Sequence, residues 1–373
     1  MSHPCHRHAH TISRREFLGV MGAAAATAVA TACQGSLPAA PAATSAVKAS
    51  DAKPVVAIAQ AASYDPALIR RQVRSLLDAT GGLKGIVKPG SKVAIKVNLT
   101  GGVGTRPIPG VSAIESYVTH PEVVRALGEF VREAGAKELY IVEAVYENAS
   151  WTEWGYEDMA KSLGAKLIDL NQALPYTDFA KVPVGNGAFL YQSFNLNHIL
   201  EEVDTFMSVP KMKTHNTAGI TLSMKNLFGL APLRFYRLKE QDNSRTGFHG
   251  AAAEAGTRVP HIIVDINRAR PINFALVDGV KSSEGGEGPW IKSIQAIEPG
   301  LLFAGADPLA TDTVGTALMG FDAAAPAMTE PFVHGDNHFA IAARIGLGSN
   351  RLSDVTVVGP AISDVMKKFK ASY

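Results

Sequence analysis

Val93-Ala94-Ile95-Lys96-Val97-Asn98-Leu99-Thr100-Gly101-Gly102 begins as a strand and ends as a polar turn. Its first five residues are apolar on both faces apart from Lys96, the pattern of a strand covered on two sides in a parallel sheet. Thr119-His120-Pro121 then opens a helical pattern over residues 122–134, where Val123, Leu127, Phe130 and Val131 form one stripe and Gly135 supplies the stop. A second strand follows at 139–143. Strand, helix and strand at this spacing make a right-handed crossover.

The same alternation extends in both directions. Further strands are expected at 55–59, 167–170, 205–209, 275–278, 301–304 and 355–358, and helical stripes over 66–77 and 307–319. The chain therefore reads as an α/β fold over residues 55–373: a mostly parallel or mixed sheet flanked by helices, in one body or two subdomains. Ligands of such sheets sit beyond the C-terminal strand ends. Polar residues collect there, at Asn98, Glu143, Lys211-Met212-Lys213-Thr214-His215, Asp278-Gly279 and Asp307-Pro308.

The densest block runs from Lys211 to His215 and on through Thr221 to Lys225-Asn226. Lys211 and Lys213 share a face if the strand continues, and Thr221 and Lys225 share one if 217–227 is helical. Lysines, hydroxyls and amides, here Lys211, Lys213, Thr214, Thr221, Lys225, Asn226 and Asn98, suit a phosphate or carboxylate. A solvated lysine-rich loop is the competing explanation. No glycine-rich run precedes the lysines, so this is no Walker loop. His120 and His215 are the acid–base candidates, with Asp278 to orient them. Glu284-Gly285-Gly286-Glu287-Gly288 lacks dinucleotide spacing but lets Glu287 and Gly288 meet a ligand. His249 and Asp265, helped by His261, His334, Asp336 and His338, form a weaker pattern for a divalent or transition metal.

The N-terminus reads as a leader. Ser13-Arg14-Arg15-Glu16-Phe17-Leu18 and the mild apolar stretch behind it match a twin-arginine signal over residues 1–32. Ala30-Thr31-Ala32-Cys33 also reads as a lipobox that would leave Cys33 lipidated; cleavage at Ala28-Val29-Ala30 is the alternative. Residues 33–54 form an Ala/Pro/Ser-rich tether. The expected partners are the twin-arginine export machinery, a small anionic ligand, and the membrane only through the lipid anchor, with the protein periplasmic or at the cell surface. The chain holds 36 Lys and Arg against 34 Asp and Glu, and losing Arg7, Arg14, Arg15 and Glu16 balances them, so nothing points to nucleic acid. Its two cysteines, Cys5 in the leader and Cys33, cannot build an iron–sulfur cluster.

In this order, Lys96-Val97-Asn98-Leu99, Thr119-His120-Pro121, Lys211-Met212-Lys213-Thr214-His215, Thr221 with Lys225-Asn226-Leu227-Phe228-Gly229, His249, Asp265, Asp278-Gly279, Glu287-Gly288-Pro289, Asp307-Pro308 with Asp312, and Gly346-Leu347-Gly348 resemble the domain of unknown function 362 family. The likeness covers residues 55–359. It implies an α/β body whose polar blocks meet in one cleft. Some members of that family carry a ferredoxin-like cysteine segment, which this chain lacks. The expected function is an extracytoplasmic enzyme acting on a small anionic substrate. A tethered solute-binding protein and a metal-dependent oxidoreductase or isomerase are the alternatives.

Overall fold

A computed structural model describes residues 52–373, so the leader, Cys33 and residues 33–51 of the tether lie outside the described residues. The strands are β1 (Val55–Gln60), β2 (Lys92–Lys96), β3 (Glu138–Glu143), β4 (Lys166–Asp169), β5 (Ala180–Pro183), β6 (Ser193–Leu196), β7 (Thr205–Ser208), β8 (Lys211–His215), β9 (Gly219–Thr221), β10 (Phe274–Glu284), β11 (Gln295–Ile297), β12 (Leu301–Gly305) and β13 (Thr356–Val358). The main sheet has the order β13-β1-β12-β10-β7-β2-β3-β4, with β8, β9 and β11 joined to it around β10. From β10 to β4 the neighbours are parallel. β12 runs against both β10 and β1, which makes the sheet mixed. Strands β5 and β6 pair separately.

Two apolar layers cover the sheet, because successive side chains of each strand point to opposite faces. Val93 and Ile95 of β2 enter one layer, with Val73 and Leu76 of the helix Pro66–Ala79 and Leu127 and Phe130 of the helix Pro121–Glu133. Ala94 enters the other, with Ile262 and Ile266 of the helix Ala255–Ala269 and Val314 of the helix Pro308–Leu318. Each of the larger side chains, fully buried, contributes about 1.5–3 kcal/mol. Three of these helices begin alike, with a capping side chain just before a first-turn proline. Asp65 accepts from Leu68 N, His120 Nδ1 from Glu122 N, and Asp307 from Ala310 N. No helix among the described residues is long and apolar enough to cross a membrane.

The expected strands at 55–59, 93–97, 139–143, 167–170, 205–209, 301–304 and 355–358 lie within one residue of those observed. Two expectations are corrected. The helix at 217–227 is instead the end of a β8–β9 hairpin followed by the short helix Ser223–Asn226. Gly219 causes the break: its φ is +74°, and a Cβ there would lie 2.8 Å from Pro331 O. The run His334-x-Asp336-x-His338 is not extended, because Asn337 caps the helix His338–Arg344 and buries His338.

Candidate active site

The C-terminal ends of β2 and β3, the β8–β9 hairpin and the segment 243–249 enclose a cavity of about 480 Å³. Glu143 lines it and is ion-paired behind the wall. Lys96 Nζ lies 2.8 Å from Glu143 Oε1, and both side chains are buried. Glu143 also accepts from Leu99 N and Ala144 N, and Lys96 donates to Val97 O. Burial pushes the Lys96 pKa down against the pull of Glu143. Gly229 packs directly on this pair, and a Cβ there would sit 2.5 Å from Glu143 Oε1.

Hydrogen bonds fix how the nearby amides point. Asn226 Nδ2 donates to Lys96 O and Ser208 Oγ, so its Oδ1 faces Lys96 Nζ at 3.3 Å. That oxygen also accepts from Asn98 Nδ2 at 3.4 Å. Asn98 Oδ1 is thereby turned away, buried and without a partner. Thr221 Oγ1 and Arg245 Nη2 are in the same condition, although Arg245 Nε is anchored on Ala231 O at 2.6 Å. Asn98, Thr221 and Arg245 all line the cavity.

Cations and imidazoles complete the wall. Lys213 donates to Tyr117 O at 2.5 Å, and burial holds its pKa well below the usual lysine range. The Lys225 ammonium sits 4.1 Å above the Phe228 ring, hydrogen-bonds to none of the described residues, and is pushed down to about 7 by burial, with Glu287 opposing. His215 Nδ1 accepts from Thr217 N and Ala218 N, so in the neutral ring Nε2 carries the proton. Burial, partly offset by Glu287, takes its pKa to about 3. His249 is the opposite tautomer: its Nδ1 donates to Arg245 O at 3.1 Å, which leaves Nε2 bare. Burial would raise the Glu287 carboxyl, but His215, Asn216 N and the Trp290 indole hold it down at about 2.

Of the residues singled out from sequence, Asn98, Lys213, His215, Thr221, Lys225, Asn226, His249 and Glu287 line this one cavity. Lys211, His120 and Asp278 do not. They form a second, closed cluster in which Lys211 Nζ lies 2.6 Å from Asp278 Oδ2 and Tyr64 donates to Asp278 Oδ1. His120 stacks on Tyr64 at 3.7 Å and spends Nδ1 on its helix cap. The lysines part company because β8 slips against β10: Lys211 is opposite Asp278, but Lys213 is opposite Ser283. Thr214 accepts from Gly286 N, off the cavity. Gly288 serves as a seat for the Trp290 ring, which any side chain there would strike.

The pairing of Asp265 with His249 as metal ligands is also corrected. Asp265 is wholly buried, and its two oxygens accept from Phe189 N, Leu190 N and Tyr191 N. His261 is tied to Thr257 O. Among the described residues no group of three or more His, Cys, Asp or Glu side chains is placed to hold a metal ion. Arg245 escaped the sequence reading, since it follows Asp242-Asn243-Ser244 in what resembles a solvated turn.

A thylakoid-associated protein of Synechocystis sp. is 28% identical over 274 residues, which cover 72% of this chain and 75% of that protein. Among solved structures, the lactate racemase apoprotein from Thermoanaerobacterium thermosaccharolyticum aligns with a TM-score of 0.38 at 11% identity, over 66% of this chain and 54% of that one. A protein from Thermotoga maritima aligns with a TM-score of 0.31 at 14% identity, over 62% and 54%. The chain spans about half the length of each of these two structures. The family model described as Domain of unknown function (DUF362) matches residues 93–317. That span runs from β2 to the helix Pro308–Leu318 and takes in every cavity residue named above, and the chain belongs to this family.

Proposed function

We propose that the protein is an enzyme acting on a small anionic molecule, held by its phosphate or carboxylate in the cavity at the strand ends. One observation carries this reading: Arg245 Nη2 and Thr221 Oγ1 are buried and without a partner, on residues that line the cavity. A buried polar atom without a partner costs roughly 1–3 kcal/mol, and such atoms are rare enough in folded proteins to need a reason. The electrostatics favour an anion. Lys96 and Glu143 cancel each other, while the Arg245 guanidinium and Lys225, whose charge a bound anion would favour, stand with the carboxylate of Glu287 at the cavity. His215 offers the ring N–H of a neutral imidazole, a donor able to polarise a bound oxygen, and His249 offers a bare ring nitrogen able to take a proton. His249 thus takes the place first considered for His120.

Isothermal titration with a panel of carboxylates and phosphates near pH 7 tests the binding, and Arg245→Leu should remove it. Each ligand found is then followed by proton NMR in D2O. Chemical change that His215→Ala stops, with affinity retained, supports the enzyme. A ligand that binds and never changes leaves a tethered binding protein instead. The setting proposed is extracytoplasmic. The Ser13-Arg14-Arg15 leader and Cys33 support export with a lipid anchor, and the thylakoid-associated relative supports a membrane-linked protein. Cell fractionation tests it, and an unprocessed chain found only in the cytosol would end it.

A further inference from the structure

An anion answers only part of the cavity wall. Arg245 Nη2 and Lys225 Nζ are donors, and an anionic group can satisfy them. Asn98 Oδ1 and His249 Nε2 are acceptors, and an anionic oxygen beside either would be repelled rather than bound. The Asn98 orientation is not arbitrary. A chain of bonds sets it, from the Lys96 carbonyl through Asn226 Nδ2, and from Asn226 Oδ1 to Asn98 Nδ2. Turning the Asn98 amide over would set two carbonyl oxygens face to face. The bare acceptor is therefore set by the end of β2 and the helix Ser223–Asn226 together.

Resting on the anion-binding reading above, the geometry points to a ligand that carries a hydroxyl or amino group on the same small molecule as its anionic group. The anion meets Arg245 and Lys225, and the hydroxyl or amino hydrogen goes to Asn98 Oδ1 or His249 Nε2. Hydroxy acids and the phosphate esters of polyols have this chemistry, as do their amino counterparts. Simple fatty acids and alkyl phosphates lack the second group on their carbon chain.

Paired ligands test this on the intact protein. Titrations compare butanoate with its 2-, 3- and 4-hydroxy derivatives, and butyl phosphate with 4-hydroxybutyl phosphate. At least one hydroxylated member should bind about tenfold more tightly than its parent, the size expected for one hydrogen bond to a buried group. In Asn98→Leu or in His249→Phe that advantage, measured against the parent anion in the same variant, should fall to near unity. If the parents bind and no hydroxyl helps, the inference is overturned and the anion cleft stands. It is equally overturned if a hydroxyl helps but both Asn98→Leu and His249→Phe keep the advantage. If no carboxylate or phosphate binds at all, the anion-binding reading itself falls. The comparison of ligands on the unaltered protein needs no variant to fold.

Discussion

On the anion-binding proposal, Thr221 serves a ligand better than it serves the fold. Its hydroxyl is buried and unpartnered, so Thr221→Val removes a desolvated oxygen and keeps the shape. Stability should hold or rise by up to about 1 kcal/mol in urea melts, while anion affinity falls roughly 5- to 30-fold. Lys225 gives a pH signature. Its folded pKa of about 7 lies below the ordinary lysine value of 10.5, so between these values the unfolded chain binds the extra proton. Stability of the ligand-free protein should therefore rise from pH 7 toward 10, with the Lys225 share of that slope removed in Lys225→Met. A bound anion favours the charged lysine, so binding should take up protons and weaken as pH climbs past 7. Calorimetry in buffers of different ionisation enthalpy reads this directly. Most of these residues were legible in the sequence, because lysine, histidine and threonine stand close together at a strand end. Arg245 was not, since its role depends on a turn folding back over β2.

At the scale of elements, the two lysines of β8 do different work. Lys211 and Asp278 are wholly buried and joined at 2.6 Å, and His120 N donates to the same carboxylate. The cluster ties β8 and β10 to the start of the helix Pro121–Glu133. Removing one charge strands the other, so Lys211→Met or Asp278→Leu alone should cost about 3–5 kcal/mol, and the double variant markedly less than the sum. Denaturant melts of the two singles and the double check this. Equal additive losses would mean that the charges do not act as a pair. The strands of the parallel region could be read in advance because both their faces are apolar. The far half of β10 could not: Ser282, Ser283 and Glu284 look like loop but are buried. The β8–β9 hairpin also stayed hidden, because helical and extended spacing both put Thr221 and Lys225 on one face, and the positive φ of Gly219 breaks the helix.

For the molecule as a whole, the polar blocks scattered over 190 residues from Asn98 to Glu287 converge because parallel strands present all their C-terminal ends on one side. That convergence follows from the strand–helix alternation alone. What the alternation does not carry is the reversed strand β12 wedged between β1 and β10. A chain stopped before Leu301 loses β12 and β13, both neighbours of β1. Limited proteolysis should then cut the Val55–Gln60 strand at once, whereas the full chain protects it. The same arrangement sets a timetable. The first strand of the body is the mate of two of the last, with some 240 to 300 residues between them. While the chain emerges from the ribosome, Val56, Ala57 and Ile58 have no edge to join until synthesis is almost finished. Closing the sheet around β1 then becomes a late check that the whole body has been made, available to any system that must tell a finished protein from a partial one.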